Sequence, residues 1–232
     1  MTTLTDAPVA GLLETLHREA TATDEAHFRA MMDKVEAQDG NIDALVANIL
    51  AEERADLTAV YRGYAGNFLA VSPVFGRFLY AMARARNAKR IVEFGTSMGV
   101  SAIYLAAALR DNGGGMLIGS EIEPAKAARA RAHLEAAGLA DLVEIREGNA
   151  LETLADPGGP VDLLLVDGAF SLYLPVLKLI EPHLAPGAVI LGENAFDPAY
   201  QDYVRNPANG YVSQPLPVDE GRGNEFTVRI AA

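Results

Sequence analysis

The stretch Arg90-Ile91-Val92-Glu93-Phe94-Gly95-Thr96-Ser97-Met98-Gly99-Val100-Ser101 reads as a buried strand that breaks at a glycine and restarts as a helix. Ile91, Val92 and Phe94 are strand formers. Gly95 permits a tight turn, and Gly99 lets backbone or ligand come close. Ala102, Ile103, Leu105, Ala106 and Leu109 then recur at helical spacing. A strand, a glycine turn and a helix place a small ligand at the carboxyl edge of a parallel sheet.

The glycine spacing is Gly-x-x-x-Gly, not the Gly-x-Gly-x-x-Gly that approaches a pyrophosphate. Glu93, just before the turn, would repel a diphosphate and suit a cationic or amino-bearing ligand. S-adenosylmethionine carries both a sulfonium and an amino group, so the turn leans towards methyl transfer.

Further strands follow in order. Met116-Leu117-Ile118-Gly119-Ser120-Glu121 ends in an acid that can accept both ribose hydroxyls of an adenosine. Pro124 opens a helix that runs through Ala127, Ala130 and Leu134 to Gly138. Leu142 to Ile145 is a third strand, followed by Gly148-Asn149-Ala150. Val161 to Asp167 is a fourth, its apolar run suited to burial on both faces. Ala188 to Leu191 is a fifth, ending at Gly192-Glu193-Asn194. In a parallel sheet, ends carrying Glu93, Glu121, Asp167 and Glu193-Asn194 share one rim. Tyr211 to Leu216 and Glu225 to Ile230, joined by Asp219-Glu220-Gly221-Arg222-Gly223, predict a closing hairpin. The fold class is therefore α/β, a Rossmann-like doubly wound sheet of seven strands, mostly parallel, with an antiparallel carboxyl-terminal hairpin.

The first 60 residues hold twelve Asp or Glu against four Lys or Arg, a charge of −8 within a chain total of −12. That argues against a phosphate-binding surface and hence against a nucleic-acid partner. The segment reads as helices: Leu12, Leu13 and Leu16 in one, then Thr21-Ala22-Thr23-Asp24 as a helix start ahead of Phe28, Met31, Met32 and Val35. Gly40 ends that stripe, and Ile42 to Leu50 makes another. The division expected is a helical segment over 1–68, covering the pocket or pairing subunits, and a catalytic domain over 69–232. Ser72-Pro73 caps a helix through Phe75, Phe78, Leu79 and Met82. No cysteine is present, so disulfides, zinc thiolates and thiol nucleophiles are excluded. The start lacks a basic, apolar signal sequence and no stretch approaches membrane-spanning length, so a cytoplasmic protein without a membrane partner is expected. Of the four histidines, His17, His27 and His133 fall in expected helices and His183 ends one. His27 is the exception to watch, because an amino-terminal helix can fold over the pocket.

On Val71-Ser72-Pro73-Val74-Phe75-Gly76, Glu93-Phe94-Gly95, Glu121-Ile122-Glu123-Pro124, Gly148-Asn149-Ala150, Asp167-Gly168 and Glu193-Asn194, the chain resembles the class I S-adenosylmethionine-dependent O-methyltransferases. Within them it is similar to the catechol and caffeoyl-CoA O-methyltransferase-like family, over about residues 69–232. The resemblance implies that Val71 and Ser72 lie by the methionine part of the cofactor. Gly95, Ser97 and Ser101 would line its turn, beside Glu93. Glu121 would hold the ribose, Ile122 would pack on the adenine, and Ala150 would sit at the adenine edge. Asn149 and Gly168 complete the candidate cofactor set. Asp167 would touch both a metal and the reacting centre, and Glu193 with Asn194 would complete a metal site for Mg²⁺ or Ca²⁺. Many members dimerise, so a homodimer is expected.

Two departures matter. The usual metal pair is Asp and Asn, and here the acid is Glu193, one methylene longer. In catechol O-methyltransferase a lysine three residues after the metal aspartate takes the substrate proton; here that position is Phe170. Phenylalanine cannot be a base. The expected reaction is O-methylation of a small, aromatic, hydroxylated metabolite, with Asp167 or Tyr173 in the proton-handling role and Phe170 and Tyr173 against the acceptor. The alternatives are a metal-independent methyltransferase acting on an amine, a carboxylate or an activated phenol; an NAD-type oxidoreductase, disfavoured by the glycine spacing and the hairpin; and a binding protein without catalysis.

Overall fold

The computed structural model describes residues 2–219 and 223–230. Glu220, Gly221 and Arg222 of the expected hairpin loop lie outside the described residues. The strands are β1 (Arg90–Phe94), β2 (Met116–Glu121), β3 (Val143–Glu147), β4 (Val161–Val166), β5 (Leu184–Gly192), β6 (Tyr211–Pro215) and β7 (Glu225–Arg229). They form one sheet in the order β3-β2-β1-β4-β5-β7-β6. β1 pairs in parallel with β2 and β4, β2 with β3, and β4 with β5. β7 runs antiparallel to both β5 and β6. The strand order reverses between β1 and β4, and a cleft opens there at the carboxyl ends.

Each run became a strand for the expected reason. Ile91, Val92, Leu163, Leu164 and Leu165 are wholly buried, as parallel strands covered on both faces require. The helices are α1 (Ala7–Glu36), α2 (Ile42–Gly63), α3 (Pro73–Ala85), α4 (Val100–Asp111), α5 (Pro124–Ala136), α6 (Ala150–Thr153), α7 (Tyr173–Ile180) and α8 (Pro198–Arg205). Ser72 caps α3 as its sequence predicts, its Oγ accepting from Phe75 N at 3.0 Å. In α4 every residue from Val100 to Leu109 is buried, because the helix lies flat on the sheet beneath α3.

The amino-terminal segment departs from expectation in two places. Asp24 does not start a helix; α1 runs unbroken through it. No Gly or Pro stands near Thr21 to stop the helix, and the Asp24 carboxylate turns to a distant loop instead. The second departure is α2, which continues past Leu50 to Gly63. Its backbone leaves helical geometry at Asp56 (φ −157°, ψ 87°), and the Asp56 side chain recaps the following turn by accepting from Ala59 N at 3.0 Å. Val9, Leu13, Leu16 and Ala20 of α1 join the same core as α3, α4 and one face of the sheet. No helix among the described residues is long and apolar enough to cross a membrane.

Candidate active site

The turn after β1 is held by atoms that leave no room for side chains. Gly95 has φ +94°, and a Cβ there would fall 2.0 Å from the Asp167 carbonyl oxygen. Glycine is thus demanded twice, by conformation and by the approach of the β4 loop. Gly99, at φ +84°, instead admits helix α5, with Ala130 Cβ 3.0 Å from where a Cβ would stand. Its close neighbour is a helix, not a ligand.

Two connected hollows sit on this rim. A small recess is lined by Phe68, Val71, Gly95, Ser97 and Ser101. A larger cleft of about 450 Å³ is lined on the sheet side by Glu121, Ile122, Asn149, Ala150, Asp167 and Gly168. Leu69, Gly95, Ser97 and Asp167 line both and mark their junction. The recess is small, about 10 Å³, with Thr96, Ser97, Ser101 and Asp167 as its polar groups, and the cleft passes Glu121 and Ile122.

Glu121 is 6 % exposed, and its carboxylate accepts from Ser97 N at 2.7 Å and Glu123 N at 2.8 Å. Those bonds fix its orientation and leave lone pairs for hydroxyls. Burial raises its pKa, opposed by these amides and by Lys126. Glu93 stands behind the turn and lines neither hollow. Its carboxylate is wholly buried without a well-directed hydrogen bond. Burial pushes its pKa up to about 7, although the nearby hydroxyls of Ser101 and Thr96 favour the charged form. Ser72 is likewise outside the recess; its hydroxyl is engaged in the α3 cap and donates to Asp219.

Asp167 follows β4, and Glu193 and Asn194 follow β5. Asp167 N donates to Phe94 O at 2.9 Å and Glu193 N to Val166 O at 3.0 Å, so the neighbouring strand ends bring these residues together. Glu193 is 1 % exposed and lies against the Asn194 amide, which donates to it. Asp167 and Asn194 line the cleft. Among the described residues no three His, Cys, Asp or Glu side chains are grouped to hold an ion. Any cation here would need the Asn194 amide oxygen as a ligand.

Tyr173 lines the inner end of the cleft, but its hydroxyl donates to Glu193 O at 2.6 Å, and burial together with Asp167 and Glu193 raises its pKa far above 10. That hydroxyl supports the β5 loop and is not placed to accept a proton, which corrects its expected role. Phe170 lines the cleft, edge-on to Tyr173 and to Phe196 at centroid distances of 5.7 and 6.3 Å.

Several site residues carried no motif. Glu53 of α2 is 3 % exposed and accepts from Phe170 N at 3.2 Å, Ser171 N at 2.7 Å and Tyr61 Oη at 2.9 Å. Asp24 of α1 is 1 % exposed and accepts from Phe68 N at 2.9 Å, Leu69 N at 2.7 Å and Asn67 Nδ2 at 3.1 Å. Each amino-terminal helix thus ties down one loop of the site. Lys126 is 3 % exposed and lines the cleft; burial lowers its pKa, with Glu121, Asp24, Glu123 and Asp167 opposing. Its ammonium balances the acid-rich rim. His27 does reach the cleft wall, edge-on to Tyr64 at 5.0 Å, and burial lowers its pKa.

A glycine turn after β1, a buried acid at the end of β2 and a strand-end aspartate at the junction of two hollows define a class I methyltransferase. Comparison with known proteins agrees. Residues 92–195 match a family described as a methyltransferase domain. A catechol O-methyltransferase of Niastella koreensis is 31 % identical over 179 residues, covering 69 % of this chain and 80 % of that protein. A catechol O-methyltransferase of Mycobacterium tuberculosis is 35 % identical over 156 residues, covering 67 % of this chain and 66 % of that one. The crystal structure of an O-methyltransferase from Bacillus cereus in complex with SAH superposes with a TM-score of 0.64 at 25 % identity, over 78 % of this chain and 90 % of that one. The chain belongs to the S-adenosylmethionine-dependent O-methyltransferases of the catechol and caffeoyl-CoA O-methyltransferase-like family. Its cofactor is S-adenosylmethionine, and its partner is a small-molecule methyl acceptor.

Proposed function

We propose that this enzyme methylates a hydroxyl of a small aromatic acceptor held in the cleft against Phe170, with Asp167 as the proton-handling residue. The observation that carries this is the position of Asp167 on both hollows: it alone among the strand-end acids lines the recess suited to methionine and the cleft suited to an acceptor. S-adenosylmethionine, when bound, supplies an electrophilic methyl group and leaves as a neutral thioether. The chain's own task is alignment: Val71, Gly95, Ser97 and Ser101 seat the amino acid end, Glu121 takes the ribose, and Ile122 and Ala150 flank the adenine. Asp167 orients the acceptor hydroxyl for in-line attack and takes its proton as the oxygen–carbon bond forms. Asp167→Asn is expected to lower kcat by roughly 10²–10⁴-fold while cofactor affinity stays within a few fold. A fully active Asp167→Asn enzyme sinks the assignment.

A divalent cation is the second reading, favoured by the donor chemistry of Asp167, Glu193 and the Asn194 amide, all oxygen and so suited to Mg²⁺ or Ca²⁺ over zinc. A bound cation would polarise the acceptor hydroxyl. Undiminished turnover in excess chelator rules out a required metal. We further infer that residues 1–68 act as a cover over the 69–232 domain, supported by the Asp24 and Glu53 ties. A homodimer in the cytoplasm completes the reading, supported by the exposed apolar side chains of Met32 and Val212; sedimentation and cell fractionation test it.

A further inference from the structure

Leu45, Val46 and Ile49, before the break at Asp56, and Leu57 and Val60, after it, all line the cleft. An amphipathic helix ordinarily turns such a stripe onto a solid core. Here the stripe lines a cavity that Asp167 and Gly168 line as well. The facing wall, Phe170, Leu172 and Phe196, is apolar as well. The polar groups deep in this half are already spent on each other, since Tyr61 donates to Glu53 and Glu53 holds the loop amides. The charged groups at the mouth, Lys34 and Glu52, are exposed and of opposite sign. His27 sits beside them, held towards its neutral form by burial. Lys126, the buried cation of the cleft, is already matched by Glu121, Asp24, Glu123 and Asp167, so the wall that α2 provides rewards apolar surface.

We propose that the methyl acceptor carries an extended apolar portion, an alkyl chain or fused ring system, that lies along the α2 stripe while its hydroxyl meets Asp167. This rests on the O-methyl-transfer reading and assigns the substrate class of that same site. A small hydrophilic catechol would fill the Asp167 end and leave the α2 wall wetted. A longer apolar acceptor removes both from water.

The test is calorimetric binding of a 4-n-alkylcatechol series, methyl to hexyl, to the S-adenosylhomocysteine-loaded protein, with turnover of the same compounds measured in parallel. Kd is expected to fall about 3- to 4-fold for each added methylene, the factor that burial of a CH₂ group supplies. Ile49→Gln is expected to weaken the hexyl compound about 10-fold or more and leave 4-methylcatechol and S-adenosylhomocysteine within about twofold. Val46→Phe fills the wall without making it polar and is expected to move the best chain length to a shorter homologue. A Kd that stays flat along the series, or an Ile49→Gln effect equal on all members, overturns the proposal. So does a wild-type dimer that Ile49→Gln turns into a monomer, because the stripe is then covered by a second copy. A graded Kd without methylated product supports the apolar wall and fails the O-methyl-transfer reading; product with a flat Kd does the reverse.

Discussion

Glu93 shows how one buried side chain sets a pH dependence. Its folded pKa of about 7 lies above its ordinary value of 4.5, so the native state holds the proton more tightly than the unfolded chain. The contribution is fully present below the unfolded pKa and is lost as pH rises through the folded one. Its size is on the order of 3 kcal/mol across that window. The cofactor-free protein should therefore lose denaturant stability between pH 5 and pH 8, and Glu93→Gln should flatten that loss. An identical slope in the variant would assign the effect to other groups. Gly95 gives the steric counterpart. Gly95→Ala would drive a methyl group into the Asp167 carbonyl, where only backbone can yield. We expect it to cost at least about 1–3 kcal/mol and to abolish cofactor binding, read by thermal melting with and without S-adenosylmethionine.

At the scale of elements, the parallel core was legible because its signals are local. The apolar runs of β1 and β4, the Ser72-Pro73 cap and the strand-end acids all announce themselves within a few residues. The ties were not legible. Glu53 meets Phe170 and Ser171 across 117 and 118 residues, and no spacing in α2 marks it as a loop anchor. Asp24 resembles a helix cap in its local sequence, and only its distant partners Phe68 and Leu69 explain it. The Tyr173 hydroxyl is a third case, since its partner is a main-chain oxygen 20 residues away. Glu53→Gln tests the tie between α2 and the β4 loop. One amide oxygen cannot replace two carboxylate oxygens, so a loop N–H loses its acceptor. The expected cost is about 1–3 kcal/mol of stability, with a raised acceptor KM and unchanged cofactor affinity. A variant with wild-type KM would show that the loop holds Phe170 in place unaided.

For the whole molecule, the amino-terminal segment is no appendage. Val9, Leu13 and Leu16 are each at most 5 % exposed in the main core. Burial of each contributes roughly 1.5–3 kcal/mol, against a typical total of only about 5–15 kcal/mol. Deleting residues 2–20 should therefore leave a chain that fails to refold cooperatively, measured by circular dichroism on dilution from urea. A cooperative, cofactor-binding fragment would contradict this. One consequence of the Asp24 tie concerns isotope labelling. Phe68 and Leu69 lie in a loop, where amide hydrogens ordinarily trade with solvent within seconds, yet both N–H groups are bonded to a carboxylate that is 1 % exposed. Their deuterium uptake in heavy water should therefore follow the breaking of the Asp24 tie, so that two loop amides serve as a clock for the loosening of α1 from the recess that Phe68 and Leu69 line.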